Sequence, residues 1–308
     1  MVSASAPGKI ILFGEHAVVY GRPALAVPVT QVQATVTVTA GARRRVRIEA
    51  PDIGLASDLE RLPADHPLAA AVRAVLSALG VASPPACTLS IRSTIPVASG
   101  LGSGAAVTVA TLRALSAFLG RPLPDERVNA LAYEIEKLHH GTPSGIDNTV
   151  VTFAHPVYFV KGQPIAALHV GRPFTLVIAD TGVSSPTKVA VGDVRTAWQA
   201  EPKRLEGLFD AIAGIVQRAR GAIEGGDLPA LGPLMDENQA LLRRLNVSSA
   251  ELDRLVEAAH CGGAQGAKLS GAGRGGNMIA LVDPQKVEDV RRELLRAGAK
   301  PVIVTRVE

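Results

Sequence analysis

The chain has 308 residues, 47% hydrophobic and 19% charged, so it is a globular chain with a sizeable core and, by length, about two domains. Aromatics are 3%, too few to stack bases along a groove, and 32 basic against 28 acidic residues leave a formal charge of +4 with no extended basic tract. Two cysteines, Cys87 and Cys261, without a Cys-x-x-Cys pair argue against a disulfide framework and a structural zinc site. No run reaches membrane-spanning length without Gly, Pro or charge, so a cytoplasmic chain with no membrane and no nucleic-acid partner is expected.

In chain order, an apolar strand over Lys9–Phe13 follows Pro7-Gly8 and leads to a turn at Gly14-Glu15-His16. Residues 29–39 alternate with period two, the mark of a half-buried antiparallel strand, and 45–49 alternate again as its expected hairpin partner. The cluster Arg43-Arg44-Arg45-Val46-Arg47 then reads as a solvated hairpin tip. A helix is predicted over 67–79, a strand over 87–95, a helix over 105–119, and a second helix over 126–138 capped by Asp125. Residues 141–148 read as a loop, and 150–153 and 157–160 as strands. Gly and Pro cluster at 162–172, which sets the domain boundary: 1–167 and 168–308. The second half holds a strand at 174–179, helices over 187–220, 229–245 and 249–260, and strands at 267–270 and 277–282. A helix at 285–297 and a strand at 301–307 end the chain. The class is α+β in two lobes, with an antiparallel or mixed sheet.

Between the strand at 87–95 and the helix at 105–119 lies Pro96-Val97-Ala98-Ser99-Gly100-Leu101-Gly102-Ser103-Gly104-Ala105-Ala106. Alternating glycines at a helix N-terminus let backbone N–H groups converge on an anion, so the stretch reads as a phosphate cradle, against the plainer reading of an ordinary turn. Gly100, Gly102 and Ala105 also fit a dinucleotide fingerprint, but the acidic residue 20 positions on, Asp125, starts a helix instead of ending a strand. Gly271, Gly273 and Gly276 fit the same pattern with a strand after them. Both contexts disfavour an NAD(P)-dependent oxidoreductase. Glu136 and Asp147 are the acidic pair nearest the glycine loop; one suits a Mg²⁺ ligand and the other a general base, while taken alone Glu136 reads as a solvated helix residue and Asp147 as a turn residue. Lys9 opens an apolar strand as either a solvated flank or a site residue.

Three stretches together resemble the GHMP small-molecule kinases: Pro7 to His16, Pro96 to Ala106, and Lys268-Leu269-Ser270-Gly271-Ala272-Gly273. They span nearly the whole chain, in the family's order. The extension Ala17-Val18-Val19-Tyr20-Gly21 and the segment His140 to Asn148 are similar to the branch acting on mevalonate, more than to galactokinase or homoserine kinase. The resemblance implies a two-lobed fold with the site in the cleft between lobes, an N-terminal ribosomal-protein-like β-α lobe with a left-handed crossover, and a ferredoxin-like C-terminal lobe. It implies ATP- and Mg²⁺-dependent phosphorylation of the 5-hydroxyl of mevalonate, a sister kinase on a related alcohol or on phosphomevalonate being the alternative. A homodimer is one implied assembly. By position it implies Asp147 and Lys9 as catalytic. Ser93, Ala98, Ser99, Gly100, Leu101, Gly102, Ser103 and Gly104 would bind ATP. Glu15, His16 and Thr187 would line the mevalonate pocket, and Glu136 and Ser103 would hold the metal. Gly104 stands where many members carry a second serine, and Arg274 where small residues are usual.

Overall fold

The computed structural model describes residues 1–96, 100–140, 143–184 and 187–308, the side chains of His139 and His140 excepted. The chain divides into two compact units. Met1–Gly8, Val32–Val97 and Gly102–Ala154 form the first; Lys9–Gln31, Ala98–Leu101 and His155–Glu308 form the second. The division falls inside two strands, β1 (Val2–Phe13) and β2 (Ala24–Ala40).

In the first unit, β2 pairs antiparallel with β5 (Cys87–Ser93), Val36 opposite Ile91 and Val38 opposite Leu89, all buried. Ser3 and Ser5 of β1 share hydroxyl hydrogen bonds with Thr37 and Thr35 of β2, each 2.8 Å. The expected hairpin of 45–49 with β2 does not form. That segment is β3 (Val46–Ala50), parallel to β5 and antiparallel to β4 (Leu55–Asp58). Alternation selects the buried face, not the neighbour, and β5 takes the edge of β2 that a hairpin needs. The arginine cluster is partly consumed: Arg45 Nη1 pairs with Asp58 Oδ2 at 2.8 Å and Arg47 lies 3.6 Å from Oδ1.

Four helices complete the first unit: α1 (Pro67–Ala78), α2 (Ser103–Phe118), α3 (Asp125–His140) and α4 (Ile146–Phe153). Helix α2 touches the other three and β5. Its small and apolar residues let it be buried on nearly every side, and two of its buried hydroxyls donate within the helix, Thr111 to Val107 O (2.8 Å) and Ser116 to Arg113 O (3.1 Å). Helix α4 overturns two expectations, the loop running to residue 148 and the strand at 150–153. Gly145, at φ 90, turns the chain into the helix, and Thr149 Oγ1 donates to Gly145 O at 2.7 Å. Burial of Val150, Val151 and Thr152 in a helix packed on α2 and α3 outweighs their β preference. Asp125 is the first residue of α3, not its cap: Pro124 O accepts from the N–H groups of Arg127 and Val128, both at 3.0 Å.

The second unit holds a four-stranded antiparallel sheet, β11-β8-β10-β9, from β8 (Phe174–Asp180), β9 (Gly266–Ser270), β10 (Asn277–Val282) and β11 (Val302–Val307). Helices α5 (Thr187–Ala200), α6 (Pro202–Gly225), α7 (Leu228–Arg244) and α8 (Ala250–Cys261) separate β8 from β9, and α9 (Val287–Arg296) separates β10 from β11. Chain order fourth, first, third, second with helices after the first and third strands is the ferredoxin-like pattern. The single helix expected over 187–220 is two, because Pro202 cannot continue a helix and instead opens α6. The start of β2 pairs with β6 (Val157–Phe159), which pairs with β7 (Ala166–Ala167).

Neither glycine segment lies in a doubly wound parallel sheet. The strand before the first, β5, has one parallel and one antiparallel neighbour, and the second joins antiparallel β9 and β10. Among the described residues, no helix is long and apolar enough to cross a membrane.

Strand β9 is the sheet edge, and α7 covers it. Asp236 Oδ1 accepts from Ala267 N–H and Gln239 Oε1 from Leu269 N–H, both at 2.9 Å. The approach is close enough that a Cβ on Gly232 would lie 2.1 Å from Gln265 O, and one on Gly266 2.2 Å from Gly232 O. Gly232→Ala is expected to cost about 1–3 kcal/mol or more by overpacking, read as a lowered urea midpoint. A midpoint equal to that of the parent would show that α7 can lift off β9 freely.

Candidate active site

In the second unit, the end of β1 is locked to the end of β9. Ser270 Oγ accepts from Ile11 N–H (3.2 Å) and donates to Ile11 O (2.9 Å). Beside this clamp, Lys9 is buried and its backbone N–H donates to Leu101 O at 2.9 Å, tying the strand to the glycine loop. Gly14 then turns at φ 100 with no room for a side chain, since a Cβ would lie 2.5 Å from Pro23 O. The turn delivers Glu15 and His16 inward, both buried.

Glu15 faces Lys268 of β9 in an ion pair with both side chains wholly buried. Lys268 Nζ donates to Glu15 Oε1 and to Leu269 O (2.6 Å). Burial pushes the Glu15 carboxyl up and the Lys268 ammonium down from their ordinary values; each charge opposes the other's shift, and Lys9 also favours ionised Glu15. Glu15 Oε2 is buried with no hydrogen-bond partner among the described residues, an acceptor suited to a polar ligand.

His16 sits at φ 60, an uncommon conformation for a residue with a side chain. Its Nε2 donates to Ala272 O at 2.9 Å, so Nδ1 is the acceptor nitrogen of the neutral ring. Burial pushes its pKa down to about 4, against the pull of Ala272 O and with a further push from Arg274. Thr187 is the exposed first residue of α5.

In the first unit, α2 begins at Ser103 after its N-cap Gly102 at φ 76, which has no side chain to cap the first N–H groups. Ser103 is half-buried and Gly104 exposed. A Cβ at Gly104 would meet nothing within 4 Å, so packing does not dictate the missing hydroxyl. Gly100 and Leu101 are described, Gly100 at φ 81 and Leu101 buried; Ala98 and Ser99 lie outside the described residues. Arg113 fixes the far end of the helical layer, donating to Asp125 Oδ1 (2.7 Å) and Thr152 O (2.5 Å).

Glu136 on α3 and Asp147 in the first turn of α4 are both half-buried. Asn148 holds Glu136: with its amide oriented to satisfy both ends, the nitrogen donates to Glu136 Oε2 at 3.1 Å and to Gly145 O at 3.0 Å. Asn148 is buried, so this brace is built into the helix interface. Ser93, at the end of β5, donates its N–H to Asp52 Oδ2 (2.8 Å), and its Oγ accepts from Ile95 N–H (3.1 Å).

Among the described residues, no three His, Cys, Asp or Glu side chains converge as a metal cage. A half-buried carboxylate and a serine hydroxyl at a helix start suit Mg²⁺, which takes few protein ligands and keeps waters and phosphates. Sequence reasoning gave no role to Lys268 or Asn148. Lys268 had a usable signal, a lone lysine inside an apolar strand; Asn148 had none, since its partner is 12 residues back on another helix.

His16 binds fewer protons folded than unfolded, so its contribution to stability is full above pH 6.5 and lost as pH falls toward 4, about 3 kcal/mol in all. Denaturation curves of His16→Asn are therefore expected to depend less on pH between 7 and 4 than those of the parent. Lys268→Met is expected to cost about 3–5 kcal/mol by stranding a buried carboxylate, much of it recovered in Glu15→Gln/Lys268→Met. Additive losses in urea denaturation would show that the two groups are not coupled.

Comparison with known proteins gives a consistent result. The family model for the GHMP kinases N terminal domain matches residues 66–155, and that for the GHMP kinases C terminal matches 219–300. The mevalonate kinase of Thermococcus sibiricus is 38% identical over 98% of this chain and 95% of its own, and that of Pyrococcus furiosus 37% identical over the same shares. The structure of L. major mevalonate kinase in complex with R-mevalonate superposes with a TM-score of 0.85 at 31% identity, covering 100% of this chain and 96% of that one.

Proposed function

The chain belongs to the GHMP kinases, and from that premise we propose that it transfers the γ-phosphoryl group of ATP to the 5-hydroxyl of mevalonate, yielding 5-phosphomevalonate for isoprenoid precursor synthesis. The observation that carries this reading is identity of 38% along 98% of the chain to an enzyme named for the reaction. The buried acceptor Glu15 Oε2 and the neutral His16 ring fit the polar groups of such an acceptor. Residues 1–167 and 168–308 are taken as the two kinase domains, and both family matches fall within these bounds.

Phosphoryl transfer asks a protein for positioning and charge neutralisation more than for covalent chemistry. The uncapped N–H groups of α2 and the loop 98–104 hold the ATP phosphates, with Ser93 near the nucleotide. Asp147 accepts the proton of the attacking hydroxyl. Lys9 offsets negative charge on the transferring group. Glu136, braced by Asn148, and Ser103 would hold Mg²⁺, which when bound neutralises charge on the β- and γ-phosphates. Glu15, His16 and Thr187 seat the acceptor. A cytoplasmic location belongs to the same proposal and accords with two free cysteines, Cys87 buried and Cys261 exposed.

ADP release measured with mevalonate, phosphomevalonate and related alcohols tests the substrate; turnover of phosphomevalonate but not mevalonate would overturn it. Asp147→Asn is expected to lower kcat by ~10²–10⁴, the scale of a lost general base. Lys9→Met is expected to lower kcat or raise KM for ATP. A folded Asp147→Asn enzyme with near-parental kcat would remove that residue from the mechanism.

A further inference from the structure

The turn between β9 and β10, residues 271–276, contains four glycines and one arginine with positive φ: Gly271, Gly273, Gly275, Gly276 and Arg274 at φ 58. A left-handed backbone costs a residue with a side chain on the order of 1 kcal/mol or more, which glycine at 274 would avoid. What offsets that cost must lie in the contacts of the side chain. Arg274 forms an ion pair with Asp193 in the middle of α5, and its Nε donates to Asn246 O at 3.3 Å. Its backbone N–H donates to Val247 O at 2.7 Å.

Helix α5 is thinly packed: of its 14 residues only Ala190 and Val194 are buried. Trp198 Nε1 holds its far end by donating to Glu206 Oε1 at 2.7 Å. The segment leading into α5 is held by the same turn that carries Arg274. Thr181 N–H donates to Gly276 O (2.9 Å), and Gly276 N–H donates to Val183 O (3.0 Å). That turn also accepts the His16 hydrogen bond, at Ala272 O. One six-residue turn thus touches His16 directly, the approach to α5 through its backbone, and the body of α5 through Arg274.

We propose that Arg274 is a positioning residue for the acceptor: its pairing with Asp193 sets α5, and with it Thr187, in register with His16. This rests on the reading of His16 and Thr187 as acceptor-binding residues. The pair is partly exposed, with side chains 31% and 54% accessible, so its influence is a modest one.

The test compares the parent with Arg274→Gly, Arg274→Lys and Asp193→Asn, using steady-state kinetics with ATP and mevalonate and amide hydrogen exchange across α5. Arg274→Gly and Asp193→Asn are expected to raise KM for mevalonate about two- to fivefold, the scale of a partly exposed ion pair, with kcat and KM for ATP held. Arg274→Lys is expected to recover part of the loss. Arg274→Gly is expected to stay close to the parent in urea stability, because the relieved backbone strain and the lost side-chain contacts offset one another. Amides of α5 are expected to exchange faster in both Arg274→Gly and Asp193→Asn. Parental KM for mevalonate in Arg274→Gly, or KM values for both substrates rising together, would overturn the acceptor role. Unchanged exchange in α5 would overturn the tether itself. A parent enzyme inert toward mevalonate would instead overturn the substrate reading, with the exchange data still deciding the tether.

Discussion

An ammonium and a carboxylate, both fully out of water, face one another at Lys268 and Glu15, and much of the second unit is arranged around that fact. Neither charge is tolerable alone at that depth. Lys268 must sit on a strand whose backbone is fully satisfied, so β9 takes β10 on one side and the Asp236 and Gln239 side chains of α7 on the other. Glu15 must be delivered by a turn tight enough to aim it back, and Gly14 supplies that turn. Ser270, two residues on from Lys268, then fixes the strand that carries Lys9. Lys9 and Glu15 are thus held by a chain of obligations that starts with one desolvated pair.

The first unit solves a different problem, that of presenting a bare helix start. On the function proposed above, the first N–H groups of α2 meet phosphates, so the helix must be rigid. Helix α2 achieves this by burial along its length among α1, α3, α4 and β5, with small residues permitting close neighbours on nearly all sides. Two of its buried hydroxyls, Thr111 and Ser116, donate to carbonyls within the helix.

Where local chemistry dictated structure, the sequence was readable. Period-two alternation located much of β2, glycine alternation located the start of α2, and the four sheet strands of the second unit were placed by patterning, though one helix was expected where α5 and α6 stand. Where tertiary contacts decided, it was not. Val150, Val151 and Thr152 look like strand residues and lie in a helix because α2 and α3 bury them there. The partner of β3 is invisible in its own alternation. In the candidate site, the motif positions of Lys9, Glu15, His16, Glu136 and Asp147 were legible through family resemblance. The groups that orient them were not: Asn148 acts across helices and Lys268 across more than 250 positions of sequence.

The cover that α7 gives β9 has a consequence for how this chain comes apart. The uncovered edge would be a short strand with the N–H groups of Ala267 and Leu269 left unpaired, a template for joining the same strand of another molecule. Partial opening at α7 therefore leads toward intermolecular sheet growth, a route from which refolding is slow or absent.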